Sequence, residues 1–400
     1  MNVGDVIELA IDSVAFGGEG VGRIDDRVVF VPFTVDGDVV KVKISEVRKR
    51  YARGDVAAVT VTSPKRTEPR CRHYYRCGGC QYQHIAYEHQ AAMKQQQVID
   101  AFMRIGKIPL PPVADTVPSP MIYNYRGKAE YHLEWTSPEK PVMGFKDTTG
   151  ATVVDIDRCE IVHESINGAV DRFRNDISAG GRHIRRTRTT FWSASHRTAE
   201  STDIRRSLTF AVVERPVKGK VLYVPAGGFF QANLSLIDTL VDMVIGRSAG
   251  SSSDALIDCY CGSGLFALFL SSHLERIYGI EMDKRAVRCA RVNMKRHNMS
   301  NVIIVQGRVE EVLQSHVFDN EKIGVILLDP PRTGCAGETL SQIVSLNPRR
   351  IVYVSCNPAT QARDVRTIID AGFRLVELQP IDMFPQTKHI EVIALLDRLT

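Results

Sequence analysis

No stretch of this chain stays apolar long enough to span a bilayer. Its first residues, MNVGDVIELAID, lack the basic segment followed by a hydrophobic one that marks a secretory leader. These absences argue against a membrane protein or an exported one, and a cytoplasmic protein is expected. A compact, even-numbered cysteine framework is missing too: nine cysteines are scattered over 400 residues. That pattern speaks against structural disulfides and for reduced thiols, metal ligands or catalysis. There is no large charge excess, since the net charge of +5 is mild. The positive charge is nevertheless unevenly placed. EVRKRYAR (46–53) and GRHIRRTRTT (181–190) concentrate Arg and Lys, and such runs either are solvated faces or track phosphate backbones by releasing counterions. With 44% hydrophobic residues, the chain has room for more than one core, and its length suggests two or three domains.

From about residue 250, short β-branched apolar runs alternate with helix-length amphipathic segments. The runs ALID (255–258), RIYGIEM (276–282), NVIIVQG (301–307), GVILLD (324–329) and RIVYVSC (350–356) read as strands of a parallel sheet. KRAVRCARVNMKRHN (284–298) reads as a helix packed on it. At the end of the chain, FRLVELQPIDMF (373–384) and HIEVIALLDR (389–398) lie too close together for a crossover, so an antiparallel hairpin at the sheet edge is expected. A doubly wound sheet with a terminal hairpin is the arrangement of S-adenosylmethionine-dependent methyltransferases.

Ligands of such sheets bind above the carboxyl ends of the strands. The first strand leads into Gly262-Ser-Gly264-Leu-Phe-Ala267, a G-x-G-x-x-A turn that lets backbone approach a ligand, although an ordinary strand-to-helix turn looks the same. Glu281 closes the second strand, where it can accept from ribose hydroxyls. Asp329 ends the fourth strand, and two prolines fix the chain's exit there. Cys356 follows VYVS and precedes Asn357-Pro358, which places it at a fifth strand end. A lone cysteine is ordinarily a packed core thiol; this one shares a crevice edge with Gly264, Glu281 and Asp329.

YCGSG, DPPRTG, VSCNPAT and DMFPQTKHIEVIALL (382–396), in that order and spacing, resemble the RNA uridine-5-methyltransferase family. GGEGVGRIDDRVVFVPFTVDGDVVKVKI (17–44) resembles a TRAM domain, a small OB-like β-barrel that binds RNA. The resemblance implies an N-terminal β-barrel over 1–62, a central α+β RNA-binding domain over 63–240, and a Rossmann-like class I methyltransferase sheet over 241–400. It implies that Gln231, Tyr260, Gly262, Gly264, Glu281 and Asp329 contact S-adenosylmethionine or the target base, that Cys356 is the nucleophile and that Glu391 is the base. Leu265 departs from the pattern, because relatives often carry a polar residue near that position. The chemistry agrees with these roles. Carbon 5 of uracil becomes nucleophilic once a thiolate adds at carbon 6, and a base must then remove the carbon 5 proton. A monomer acting on 23S ribosomal RNA, rather than transfer RNA, is expected.

Cys71, Cys77 and Cys80 form a C-x5-C-x2-C array, and Cys159 stands far downstream. Bare spacing leaves zinc and an iron-sulfur cluster open, with zinc the commoner; the resemblance implies a four-iron four-sulfur cluster on these four residues. Tyr74, Tyr75, Tyr82, Tyr123 and Tyr125 lie among Arg and His, where some would stack RNA bases and others pack the core. A uridine inside a helix cannot present its ring to Cys356, so the target must be flipped out or already unstacked. Two rival readings are a noncatalytic RNA-binding or chaperone protein and a nicotinamide oxidoreductase on the same sheet. The acid, thiol and base set weighs against the first, and the SCNP segment with the terminal hairpin against the second.

Overall fold

The computed structural model describes residues 1–137, 140–178, 187–193, 199–200, 211–248, 254–318 and 321–399. Strands β1 (Val6–Ala10), β2 (Ser13–Val14), β3 (Glu19–Ile24), β4 (Arg27–Pro32), β5 (Val39–Val47) and β6 (Tyr51–Val61) form one barrel-like sheet in the order β1-β5-β6-β4-β3-β2. Period-two alternation drives it: Val40, Val42 and Ile44 are buried while Lys41 and Lys43 point to water. A Cβ at Gly22 would lie 2.2 Å from the Ala10 carbonyl, so β3 passes β1 this closely only because it carries glycine there.

Helix α1 (Tyr87–Arg104) leads to an antiparallel sheet of β7 (Lys128–Ser137), β8 (Lys140–Lys146), β9 (Val153–Asp155), β10 (Arg188–Trp192) and β11 (Ala199–Glu200), ordered β11-β10-β7-β8-β9 and covered by α2 (Glu164–Ser178). Its core joins Tyr131, Leu133, Met143, Phe173 and Phe191 to Cys159, with Cys77 and Cys80 packed against it. A hairpin, β12 (Val212–Val217) and β13 (Lys220–Pro225), and helix α3 (Ile237–Ser248) follow.

The last sheet contains β14 (Ala255–Cys259), β15 (Arg276–Glu281), β16 (Val302–Gln306), β17 (Ile323–Leu328), β18 (Arg350–Ser355), β19 (Phe373–Ile381) and β20 (Glu391–Arg398). Between the strands run α4 (Leu265–Leu270), α5 (Lys284–Arg296), α6 (Val309–Leu313), α7 (Gly337–Ser345) and α8 (Pro358–Asp370). The strand order is β16-β15-β14-β17-β18-β20-β19. Strands β14 to β18 are parallel, and β20 enters antiparallel between β18 and β19. The expected strands and terminal hairpin are therefore present, with ends shifted by up to three residues.

Strand β17 is buried along its whole length, so both faces of the sheet need cover. One face takes Val213, Leu222 and Val224 of the β12-β13 hairpin and Leu240 and Val244 of α3. The other takes Val98 and Phe102 of α1 beside Ala362 and Val365 of α8. The layers that cover the last sheet thus begin well before residue 241, and α1 ties the barrel to it, with Gln97 Nε2 donating to the Val14 carbonyl at 3.1 Å.

The firmest polar tie is an ion pair between Lys94 Nζ and Asp382 Oδ1 at 2.6 Å, with neither side chain exposed. Lys94 also donates to the Phe384 carbonyl at 3.1 Å. Breaking such a pair strands a buried charge and costs about 3–5 kcal/mol, whereas replacing both partners by apolar groups is often neutral. Lys94→Met should therefore lower the urea midpoint sharply, and Lys94→Met with Asp382→Leu should regain most of the loss. A double replacement less stable than the single one would show that the pair itself stabilises the junction.

Candidate active site

The strand ends converge as their chain positions require. Cys356 is the first residue after β18; the following Asn357 caps α8 through its Oδ1, which accepts from the Ala359 N–H at 3.1 Å, and Pro358 opens the helix. The antiparallel register pairs Ser355 with Val392. Continued by one residue, that register carries the chain leaving β18 at Cys356 towards Glu391, the first residue of β20, and the two are close enough for the Glu391 charge to act on the thiol.

Asp329 follows β17, the neighbour of β18. Burial pushes its carboxyl up to about 7. Glu391 is also buried and raised well above the usual carboxylate range, first by burial and then by the charge of Asp329, against which Arg332 acts. The Cys356 thiol is pushed up to about 11 by burial and by Glu391 and Asp329, while the charge and hydrogen bond of Arg332 pull it down. Arg332 is fixed in turn: its carbonyl accepts from Asn357 Nδ2 at 3.0 Å and Thr360 Oγ1 at 3.1 Å. Its guanidinium lies 3.3 Å from His389 Nδ1. That histidine is driven down to about 3 by burial and by Arg332, Lys388, Arg126 and Lys94, which makes it neutral at ordinary pH.

On the other side of the crevice, Tyr260, Gly262 and Gly264 all have positive φ, at 66°, 55° and 79°. For Tyr260 this is a strained conformation of a kind that gathers at functional sites. Glu281 Oε2 accepts from the Gly262 N–H at 3.1 Å and Oε1 from the Asp283 N–H at 2.7 Å. Each oxygen keeps a lone pair for a further donor. Gln231 is buried on a loop threaded along the central domain, where the Gly127 N–H donates to Ala232 O at 2.8 Å and Lys128 Nζ to Gly228 O at 2.5 Å. Its neighbour Phe230 shares an apolar cluster with Cys261 and Leu265.

Sequence reasoning passed over three residues. Arg332 stood inside DPPRTG and His389 inside TKHIEV, and only the folded chain shows that they touch. Asp258 is fully buried, with both carboxylate oxygens lacking a geometrically sound hydrogen bond among the described residues. Its carboxyl is raised well above normal by burial and by Asp329 and Glu281. A lone carboxylate within an otherwise apolar strand was the available signal.

Cys71, Cys77, Cys80 and Cys159 are free and line one cavity of about 360 Å³, shared with Arg126 and His389. As they stand, no three His, Cys, Asp or Glu side chains among the described residues are placed to hold a metal ion. The Cys77-Gly-Gly-Cys80 turn lies so close to the central sheet that a Cβ at Gly78 would sit 2.6 Å from the Asp147 carbonyl. Of the five tyrosines, Tyr74, Tyr82 and Tyr125 are core residues with bonded hydroxyls. Tyr75 is 49% exposed, and Tyr123 lies under Arg70 at 5.0 Å. In the basic run 46–53, Arg53 pairs with Glu19 and stacks on Phe30 and Tyr51. Most of the run 181–190, including Arg185 and Arg186, lies outside the described residues.

A doubly wound sheet with β20 between β18 and β19, an acid-lined crevice at its strand ends and a barrel-like N-terminal sheet define a class I methyltransferase joined to a TRAM domain. The family model described as tRNA (Uracil-5-)-methyltransferase matches residues 209–399, and the TRAM domain model matches 1–57. An uncharacterized RNA methyltransferase of Caldanaerobacter subterraneus is 33% identical, covering 100% of this chain and 99% of its own. The tRNA (uracil(54)-C(5))-methyltransferase of Schizosaccharomyces pombe is 32% identical over 98% of this chain and 78% of its own. A solved structure, that of Pyrococcus abyssi tRNA (uracil-54, C5)-methyltransferase, shares the fold with a TM-score of 0.74, at 21% identity over 98% of this chain and 100% of that one. The chain belongs to the RNA (uracil-5-)-methyltransferase family, whose members are S-adenosylmethionine-dependent enzymes. No helix of the described residues is long and apolar enough to cross a membrane.

The electrostatics of Cys356 can be read by alkylation of the free protein. Reaction with iodoacetamide should be slow near neutral pH and rise about tenfold per pH unit towards the raised midpoint, because only the thiolate reacts. Glu391→Gln removes a charge that opposes the thiolate and should move the midpoint down, and Arg332→Ala should move it up. Peptide mass spectrometry reads both. Shifts of the same sign would show that the two side chains do not act on the thiol with opposite charge.

Proposed function

We propose that the chain methylates carbon 5 of one uridine in a structured RNA through a bond between Cys356 and carbon 6, with Glu391 as the base. The opposition of Cys356 and Glu391 across β18 and β20, with Asp329 and Arg332 beside them, carries this reading. Attack by the Cys356 thiolate forms the S–C6 bond and moves the C5=C6 electron pair into an enolate ending at the C4 oxygen. The thiol's own proton goes to a neighbouring carboxylate, whose affinity for protons is raised. Bound S-adenosylmethionine would supply the methyl group as a sulfonium. Carbon 5 then holds both the methyl group and its original proton; Glu391 takes the proton, the double bond re-forms and Cys356 leaves as thiolate. Gln231, Tyr260, Gly262, Gly264, Glu281 and Asp329 are assigned to the cofactor and the target base, with Glu281 on the ribose hydroxyls.

Cys71, Cys77, Cys80 and Cys159 would hold a four-iron four-sulfur cluster. Four free thiols around one cavity suit an all-sulfur donor set. The cluster's role is structural, since methyl transfer needs no electron. For the RNA, the barrel with four cysteines favours 23S ribosomal RNA, and the name of the fission-yeast relative favours a transfer-RNA uridine. Mapping 5-methyluridine in total RNA from a deletion strain decides between them.

Cys356→Ala should abolish both transfer and adduct. Glu391→Gln should still attack and methylate but stall before proton removal, leaving methylated RNA bound to a peptide that contains Cys356. Normal turnover by Glu391→Gln, or an adduct on Cys261, Cys289 or Cys335, would refute the assigned roles.

Protein purified without oxygen should be brown and contain iron, and Cys159→Ser should lose it. Colourless protein with one equivalent of zinc would overturn the cluster assignment.

A further inference from the structure

We propose that the segment from Cys80 to Gln90 is a positioning clamp for the loop that delivers Glu391, with Gln81 and Gln90 as positioning residues and the cysteine site as the anchor. The proposal rests on the reading of Glu391 as the base.

The loop between β19 and β20 passes through Gln386, which is buried and has φ at +67°. A non-glycine residue keeps that conformation only where its surroundings over-determine it. Here they do. The Gln386 carbonyl accepts from two successive backbone donors, Gln81 N–H at 3.1 Å and Tyr82 N–H at 3.0 Å. Gln90 closes the other side: its Oε1 accepts from the Gln386 N–H at 3.0 Å, and its Nε2 donates to Gln386 Oε1 at 3.0 Å. Tyr125 Oη donates to the preceding carbonyl, Pro385 O, at 2.9 Å.

The side chain of Gln81 extends the clamp in both directions. Its Oε1 accepts from the Lys388 N–H at 3.2 Å, three residues before Glu391, and its Nε2 donates to the Gly78 carbonyl at 2.8 Å, inside the Cys77-Gly-Gly-Cys80 turn. One amide therefore joins the cysteine turn to the base-bearing loop, and Cys80 is its covalent neighbour. His389, two residues before Glu391, lines the same cavity as the four cysteines and reaches Arg332 on its far side. Order in the cysteine site thus reaches Glu391 through the loop backbone, and disorder there impairs the proton-removal step most, because Glu391 directly follows the clamped loop while Cys356 sits between β18 and α8.

Hydrogen exchange on the full-length protein without RNA tests the clamp apart from the chemistry. Gln81→Ala should speed exchange in the peptide spanning 382–391 by about tenfold or more, with β14 to β18 unchanged. Gln81→Glu, which keeps the acceptor for Lys388 but loses the donor to the Gly78 carbonyl, should exchange at a rate between those of the unmutated protein and Gln81→Ala. Unchanged exchange in Gln81→Ala overturns the proposal. Cys80→Ala should loosen the same peptide; if it does not while Gln81→Ala does, the anchoring by the cysteine site is wrong. In turnover, Gln81→Ala should lower kcat about tenfold with KM for RNA within about twofold, and accumulate the methylated covalent adduct. Equal slowing of every step without adduct would overturn the role in positioning the base. Unmutated enzyme with 5-fluorouridine RNA is the control: no adduct there refutes the covalent reading itself, while the exchange result still judges the clamp.

Discussion

The antiparallel entry of β20 between two strands that run with each other is the constraint on which the site depends. It turns a sheet edge, where β18 would otherwise end with one face of its ladder open, into a place where two chain directions meet. The residue leaving β18 and the residue entering β20 must then oppose each other, whatever their identity. In this chain they are a thiol and a carboxylate. Nothing local to either segment could bring them together, which is why the loop between β19 and β20 is held by so many partners from the amino-terminal half.

The crevice is rich in acids. Asp329 is raised by burial, Asp258 and Glu391 by burial and by the charge of Asp329, and Arg332 is the cation that offsets Glu391 and Cys356. The sign of the effect follows for Asp329. A carboxyl whose folded value is raised to about 7 binds its proton more firmly folded than unfolded, so its contribution to stability is full below the unfolded value and is lost as pH rises through the folded one. A cationic ligand in the crevice would remove that penalty by favouring the ionised form.

Much of this was legible before folding, and the reason differs by region. The parallel strands were readable because burial on both faces leaves uninterrupted apolar runs, and the exits were readable because Asn-Pro and Pro-Pro end strands sharply. Asp329 and Cys356 were legible as strand-end residues, and Glu391 only through the resemblance carried by HIEV. What could not be read was contact across long separations: Lys94 with Asp382, Gln81 with Lys388, Arg332 with His389. Period and turn signals are local, and these pairs are not. For the same reason the covering layers of the catalytic sheet were assigned by sequence to the central region, although α1 and the β12-β13 hairpin bury their apolar faces on the sheet.

The nine cysteines, uninformative as a count, sort by environment. Cys259, Cys261, Cys289 and Cys335 are buried in or around the catalytic sheet, and each is pushed up by burial, which keeps it protonated and inert. Cys71, Cys77, Cys80 and Cys159 gather around one cavity. Cys356 stands just past a strand end, partly exposed, with a guanidinium against it. A nucleophile needs access and a cation that favours its thiolate, and Cys356 has both. What sets this thiol apart from chemically identical ones is therefore where the sheet ends, and that is set by the Asn-Pro pair that follows Cys356 and opens α8.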